Sequence, residues 1–409
     1  MNIVYINHYA GSPDLGMEFR PYYLGQEWIK SGHHVIIIAA SYSHVRSKQP
    51  FLIRNKKTIE KINELTYIWY PTPVYNGNGL SRVRNIFSFL AQVWMDSNKL
   101  VKEYNPDIVI SSSTYPMDIW VAKHIAQKSN AKLIFELHDL WPLSPIELGG
   151  MSPKHPFIQL CQLAENSAYK HSDAVISMLP NVHEHMKNHG LNLDKLHIVP
   201  NGVVVNDWMQ KFSPLDMELE KLIISEKNKG HKIVCYSGAH GQPNSLNILI
   251  KTALILHEKT FTFLLVGTGF EKDNLIEESK SLGIKNVIFI DPIPKIQIPT
   301  LLEKIDIAYI GLQKQSLFRF GISPNKLIDY MMAAKPILCA IDAGNDPVSD
   351  ANCGITVKSN NPEDIAQALL HLSSLSTEEL SKMGQRGRAY ALKNHIYSAL
   401  ADKFIKAIR

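Results

Sequence analysis

The 409-residue chain predicts an α/β protein of two doubly wound domains followed by a helical tail. Three observations carry that reading. The chain is longer than one ordinary hydrophobic core serves, so two domains are expected. Short apolar runs recur without polar alternation, as parallel strands covered on both faces do. Helix-length periodic segments fill most gaps between those runs, giving a βα rhythm in two successive series.

The first series of strands reads "IVYIN" (3–7), "HVIIIAAS" (34–41), "YIWYP" (67–71), "DIVISS" (107–112), "KLIFEL" (132–137) and "AVISM" (174–178). Helical patterns lie between most of them, for example at 17–31 and 83–103. The seam falls near "VPNGVVVNDWMQKFSP" (199–214), where an Asn-Gly turn leaves the last strand. A second series follows at 232–238, 261–267, 286–291, 306–312, 336–341 and 354–357, with helical patterns at 244–257, 270–282, 296–304, 324–333 and 362–373. The expected domains are therefore 1–205 and 206–385, with a tail helix over 386–409 that either stays local or crosses back onto the first domain. Two such domains facing each other place a ligand at the carboxyl ends of both sets of strands.

Composition excludes several classes. Hydrophobic content of 45% and charged content of 20% fit a globular chain, and a net charge of +5 makes no case for nucleic acid. No apolar run approaches the ~20 residues of a spanning helix. The start, "MNIVYINHYAG", has no basic region and no long apolar core, so a signal peptide is not expected. Four scattered cysteines (161, 235, 339, 353) suit a reducing cytosol and predict neither disulfides nor a zinc site. The expected location is cytoplasmic, peripheral on the inner face of the plasma membrane.

Chemistry is sought in the loops that leave the strands. "NHYAGSPDLGMEFR" (7–20) carries Gly16, read as the residue preceding a helix whose amides cradle a phosphate or hydroxyl. "SGAHGQPNSL" (237–246) repeats the arrangement with Gly238, Gly241 and Asn244, and "VGTGFEKDNL" (266–275) adds Gly267. None is a complete G-x-G-x-x-G; the third glycine of the last loop would stand at 272, which is Lys. Each glycine also serves a tight turn, so the signal lies in their recurrence. "FELHDLWPLSP" (135–145) brings His138 and Asp139 to a strand end. There they either polarise a substrate hydroxyl or simply shape the turn. No metal-binding pattern and no acyl-transfer nucleophile is visible, so neither a metal nor another cofactor is expected.

The stretch "SPNKLIDYMMAAKPI" (323–337) is the most specific. Ser323 reads as an N-cap and Pro324 as the first helical residue. Leu327, Ile328, Met331 and Met332 share a core-facing stripe. Lys326 and Asp329 lie on one face. They are either a surface ion pair or, with Asn325 and the helix start, a reader of diphosphate and ribose.

Taken together, "GHHVIIIAA", "VPNGV", "LLVGTG", "NVIFIDPIPK", "SPNKLIDYMMAAKPIL", "CGITV" and "MGQRGRAYA" resemble the retaining GT-B glycosyltransferases of family 4. The form "SPNKLIDYM" is most similar to the WbuB-like subgroup, which includes N-acetyl-L-fucosaminyl transferases of bacterial O-antigen assembly. The resemblance implies two Rossmann-like domains, a nucleotide-sugar held mainly by the second, and a terminal helix returning to the first. It implies metal-independent transfer with retention from a UDP-sugar to a lipid-diphosphate saccharide. His138, Asp139 and Lys326 are the catalytic candidates, and Asp329 takes the ribose role of the second acid of E-x7-E. The first acid would fall at Gly321 and is absent. Sugar contacts then pass to amides around Ile322 and Ser323, and Lys326 with Arg319 supplies the diphosphate charge.

Residues 46–102 hold ten Lys/Arg against three acids, a local balance of +7. Arg20, Lys56, Lys57, Arg82 and Arg84 are therefore candidates for contact with the acceptor or with anionic lipid, beside a helical apolar face of Val83, Ile86, Phe87, Leu90, Val93, Trp94 and Leu100. The plainer reading is a core-facing helix with solvated ends. Two further functions fit the fold: a UDP-sugar 2-epimerase and a non-catalytic two-domain sugar-binding protein.

Overall fold

A computed structural model describes residues 1–209 and 213–408; the side chain of Arg54 is also outside the described set. Of the seam stretch, 210–212 thus lie outside the described residues, as does Arg409 at the end of the tail. The chain divides into two compact units, Met1–Asn201 with Tyr397–Arg409, and Gly202–Ile396.

Unit 1 is built in the order β1 (Asn2–Ile6), α1 (Arg20–Lys30), β2 (His34–Ala40), β3 (Thr58–Ile62), β4 (Leu65–Tyr70), α2 (Leu80–Tyr104), β5 (Ile108–Ser111), α3 (Asp118–Ser129), β6 (Lys132–Leu137), α4 (Leu143–Glu147), α5 (Pro156–His171), β7 (Ala174–Ser177), α6 (His183–Asn188) and β8 (Leu196–Ile198). Its sheet runs β3-β4-β2-β1-β5-β6-β7-β8. All pairs are parallel except β3, which lies antiparallel on β4 with Ile59 opposite Ile68. The buried pattern of β1, β2 and β5 is why those strands read as continuous apolar runs. Strand β3, "TIEKI", escaped that test because it is an exposed edge carrying charge, and Ile59 is 49% exposed.

Unit 2 follows as α7 (Asn206–Met209), α8 (Met217–Asn228), β9 (Lys232–Ser237), α9 (Leu246–Ile255), β10 (Phe261–Val266), α10 (Lys272–Ser281), β11 (Val287–Ile290), α11 (Ile298–Lys304), β12 (Ile307–Gly311), α12 (Asn325–Met332), β13 (Ile337–Ala340), α13 (Pro347–Asp350), β14 (Gly354–Val357), α14 (Pro362–Ser374) and α15 (Thr377–Asn394). The sheet order is β11-β10-β9-β12-β13-β14, parallel throughout. Successive strand residues feed opposite cores. Ile233 and Cys235 join Leu327, Met331 and Met332 on one face, while Val234 and Tyr236 join Leu246, Leu249 and Phe261 on the other. That alternation, with both faces buried, is the doubly wound arrangement expected of the sequence.

The boundaries differ from the sequence expectation. Unit 1 ends at Asn201, not 205, and the returning tail begins at Tyr397, not 386. Helix α15 stays with unit 2 because a glycine lets it close in. A Cβ on Gly384 would stand 1.8 Å from the Ala334 carbonyl oxygen. The last helix, α16 (Tyr397–Ala407), packs on α1 in unit 1. There the Trp28 indole N–H donates to Ala401 O at 3.2 Å, and its ring meets Phe404 edge-on at 5.1 Å.

Candidate active site

In open parallel sheets the ligand crevice opens where strand order reverses. In unit 1 that point lies between β1 and β5, with β6 next in the sheet. The side chains there form one buried polar network. Glu136, fully buried on β6, accepts from Arg20 Nε at 2.8 Å, from Ser112 Oγ at 2.6 Å and from the Tyr5 hydroxyl. Burial would raise the Glu136 carboxyl, but the Arg20 guanidinium and then His138 hold it well below the usual carboxylate range. His138 leaves β6 with Nε2 at 2.8 Å from Ser112 Oγ and 3.2 Å from Glu136 Oε2. A carboxylate only accepts, so Nε2 carries the proton donated to it. Nδ1 is then the nitrogen turned away from the network. Strand β6 thus delivers an oriented imidazole whose tautomer is fixed from behind.

Asp139 does something different. Its Oδ1 accepts from the Leu140 N–H at 2.9 Å and from the Ser144 hydroxyl, so it closes the turn into α4. Burial raises its carboxyl despite those bonds. It shapes the loop that follows His138.

In unit 2 the reversal lies between β9 and β12. The loop after β9 holds Gly238, Gly241 and Asn244, as the sequence suggests. Its conformation depends on Gly267, where a Cβ would stand 1.9 Å from the Gly238 carbonyl oxygen. From α12, Lys326 reaches under this loop, with Nζ donating to Tyr236 Oη at 2.7 Å and Asn244 Oδ1 at 3.1 Å. The ammonium also sits 4.3 Å from the Tyr236 ring centroid. It makes no ion pair among the described residues, and burial lowers its pKa to about 8. The surface Lys326–Asp329 pair is therefore not formed. Asp329 lies one turn on and is half-buried; its main-chain carbonyl takes the Ala333 N–H at 3.0 Å, while its carboxyl accepts no hydrogen bond from a described residue. Burial pushes its pKa up to about 6, with Lys295 acting against that shift and Asp207 adding to it.

Tyr236 and His240 were not singled out by sequence reasoning. Tyr236 is hidden by lying inside an apolar strand. His240 lies in the quoted glycine loop, but nothing in the sequence signals its burial. Both ring nitrogens are buried without a hydrogen-bond partner, and burial, then Lys272 and Lys326, lower its pKa to about 4. The imidazole is a neutral wall between two lysines. Lys272, standing where a dinucleotide fingerprint would need glycine, binds Asp291 at 2.6 Å and the Gly267 carbonyl at 3.0 Å.

Several expectations are corrected. Gly16 does not open α1: it sits at φ +96° against Ser47, and its amide donates to Ser12 O at 2.8 Å. Arg20 is not an acceptor or membrane contact. It is 1% exposed, and beyond Glu136 its guanidinium donates to Val199 and Pro200 carbonyls at 2.8 and 2.6 Å. Arg46 drops out of the basic surface likewise, buried with its guanidinium on the Ala10 and Ala40 carbonyls. Pro324, not Ser323, takes the N-cap of α12, which starts at Asn325. The Ile322 amide is already taken by Asn345 Oδ1 at 2.8 Å, so it is not open to a sugar.

Of the remaining cations, Lys57 pairs with Asp96. Arg82 is half-buried between the Tyr9 and Trp141 rings and donates to Asn78 Oδ1 at 2.6 Å. Lys56 and Arg84 are exposed. Along α2, Ile86, Leu90, Val93 and Leu100 face the core, while Phe87 and Trp94 are 42% and 45% exposed.

A family model described as Glycosyltransferase Family 4 matches residues 16–207, and one described as Glycosyl transferases group 1 matches residues 231–374. No curated protein matches the sequence. Among solved structures, sucrose-phosphate synthase from Thermosynechococcus elongatus is similar with a TM-score of 0.74 at 14% identity, over 99% of this chain and 98% of that one. Anabaena HepE in complex with UDP and glucose gives 0.67 at 15% identity, over 100% and 99%. WaaG, a glycosyltransferase involved in lipopolysaccharide biosynthesis, gives 0.66 at 14% identity over 99% of each chain. At such identities the structural likeness speaks for the fold. With both units matched by glycosyltransferase models and carrying this fold, the chain belongs to the GT-B glycosyltransferases of family 4.

Proposed function

We propose that this chain moves a sugar, with retention, from a UDP-sugar to a lipid-diphosphate-linked saccharide in bacterial surface polysaccharide synthesis. The sugar we assign is N-acetyl-L-fucosamine, in O-antigen assembly, on the likeness of "SPNKLIDYM" to the WbuB-like subgroup. The observation that carries the donor reading is Lys326. It is a half-buried ammonium with no carboxylate partner among the described residues, held under a glycine loop at the switch point of unit 2. A free cation there favours a diphosphate. The Asp329 carboxyl, with no hydrogen bond from a described residue, is suited to a pair of ribose hydroxyls. HepE structures that contain UDP or UDP-glucose support a uridine nucleotide.

Charge grows on the leaving diphosphate as the anomeric C–O bond breaks. Lys326 and the amides at the start of α12 stabilise it, with no metal assigned to the step. In unit 1, His138 presents Nδ1 to the acceptor hydroxyl and polarises it, while the departing phosphate takes the proton. Exposed Lys56 and Arg84, near in sequence to exposed Phe51 and Leu80, support peripheral contact with anionic lipid on the inner face of the plasma membrane.

The test is product analysis with a panel of UDP-sugars, with and without a lipid-diphosphate saccharide. Transfer to the lipid with retained anomeric configuration is expected. Sugar epimerisation with donor alone, or nucleotide binding without turnover on any acceptor, would overturn the transferase assignment.

A further inference from the structure

A second cluster lies in unit 1, apart from the residues assigned above. Glu165 points from the buried face of α5, in line with Cys161 and Tyr169, and is fully buried. Helix α6 and its C-cap bring His185 and His189 to it, one helical turn apart and so on one face. His185 Nε2 lies 3.1 Å from Glu165 Oε1, and the two imidazole centroids are 4.3 Å apart. One donor atom from each of the three residues falls within 4.8 Å of the others.

The supporting contacts aim these donors. Tyr169 Oη donates to Glu165 Oε1 at 2.9 Å, and Gln162 Nε2 donates to Oε2 at 2.7 Å, fixing the carboxylate. His189 Nδ1 donates to the His185 carbonyl at 2.8 Å. That bond fixes the tautomer and leaves the Nε2 lone pair unused, as in imidazoles that bind metal. An ion pair between His185 and Glu165 would explain those two residues. It gives no reason for a second imidazole with its tautomer set in the same place.

We propose that Glu165, His185 and His189 form a binding site for one borderline divalent cation, Zn²⁺ being the natural occupant. Two imidazoles and one carboxylate select Zn²⁺ over Mg²⁺ or Ca²⁺. Donor separations in a tetrahedral Zn²⁺ site are about 3.4 Å, close to the His185–Glu165 distance. The widest gap closes with a shift of at most about 1.4 Å at the imidazoles of α6 and its C-cap. The cation displaces the Nε2 proton that His185 donates to Glu165: from an imidazolium it leaves to solvent, and in a neutral imidazole it passes to Nδ1, so that the ligand stays neutral; a water completes the fourth position. The sequence expectation of no metal rested on cysteine spacing and on the absence of a familiar metal-binding motif; this cluster uses no cysteine and joins residues of two separate helices.

Full-length protein, stripped with a chelator and dialysed, is titrated with Zn²⁺ by calorimetry. One site per chain is expected, weakened at least tenfold in His189→Ala and in His185→Ala and unchanged in the exposed neighbour variant His183→Ala. Co²⁺ should give the visible absorption of a tetrahedral site in the parent, lost in His189→Ala, and Mg²⁺ should give no heat. Parent-like Zn²⁺ binding in His185→Ala and His189→Ala, or no uptake by the parent at tens of micromolar Zn²⁺, would overturn the site. Neither result bears on sugar transfer.

Discussion

Replacing Lys326 by methionine separates its effect on donor binding from the pH dependence it gives to stability. Methionine keeps much of the volume and removes the charge. For binding, the lost contact is a charge-assisted hydrogen bond to a diphosphate, worth about 1.5–3 kcal/mol. At ~1.36 kcal/mol per decade the UDP dissociation constant should rise about 10- to 150-fold. For folding, the pKa falls from 10.5 to about 8, so burying the charged form costs about 3 kcal/mol at neutral pH. The ammonium's bonds to Tyr236 and Asn244 return about 1.5–3 kcal/mol each. The variant should then be about 0–3 kcal/mol less stable than the parent at pH 7. The folded-state pKa is depressed, so the parent's cost is complete below pH 8 and vanishes as pH rises to 10.5. Across that range the difference should move by about 3 kcal/mol toward the parent. Calorimetry with UDP at pH 7, and thermal unfolding between pH 7 and 10.5, measure both. UDP binding within twofold of the parent, or a stability difference flat in pH, would remove Lys326 from the donor site as a buried cation.

Three further outcomes follow from the same geometry. UDP affinity of the parent should weaken as pH falls through about 6, where Asp329 takes up its proton, by ~10-fold per unit at the limit. Asp329→Asn should bind weakly with no such titration, read by calorimetry between pH 5 and 7. His138→Ala should lower kcat by about 10²–10⁴ with the donor KM nearly unchanged, measured by steady-state kinetics. Arg20→Met should leave the Glu136 charge buried and unpaired, costing about 3–5 kcal/mol of stability in denaturant unfolding.

Strands with both faces buried announced themselves in the sequence as apolar runs, and the stripe of α12 announced its buried face. Those signals come from solvent exclusion, which a single chain records directly. Strand β3 left no such mark because half of it is solvated and charged. Candidate residues stood out where polar groups break an apolar pattern, as with His138 just after β6 and with Lys326 and Asp329 on α12. The site was illegible where function depends on contacts distant in sequence. Arg20 and Glu136 lie 116 residues apart, and Arg20 read as one more surface cation. Asp139 and Gly16 carry plausible residue types, but local hydrogen bonds already use the groups that a ligand would need. By spacing Lys326 and Asp329 fit either a helix-surface pair or separate ligand contacts; Tyr236 draws the lysine away from the pair.

The chain enters unit 2 after Asn201 and leaves it before Tyr397, so unit 2 is a continuous insertion within unit 1. During synthesis the ribosome completes all of unit 2 before α16 exists. Until then the α1 face around Trp28 and Tyr23 has no cover from Phe404 and Tyr397. A fragment ending at Asn201 would therefore emerge with an open aromatic seam, whereas a fragment spanning 202–396 would carry its own two cores. Dissection of this protein is asymmetric: the second unit can be cut out whole, and the first can be isolated only by splicing its last helix back on.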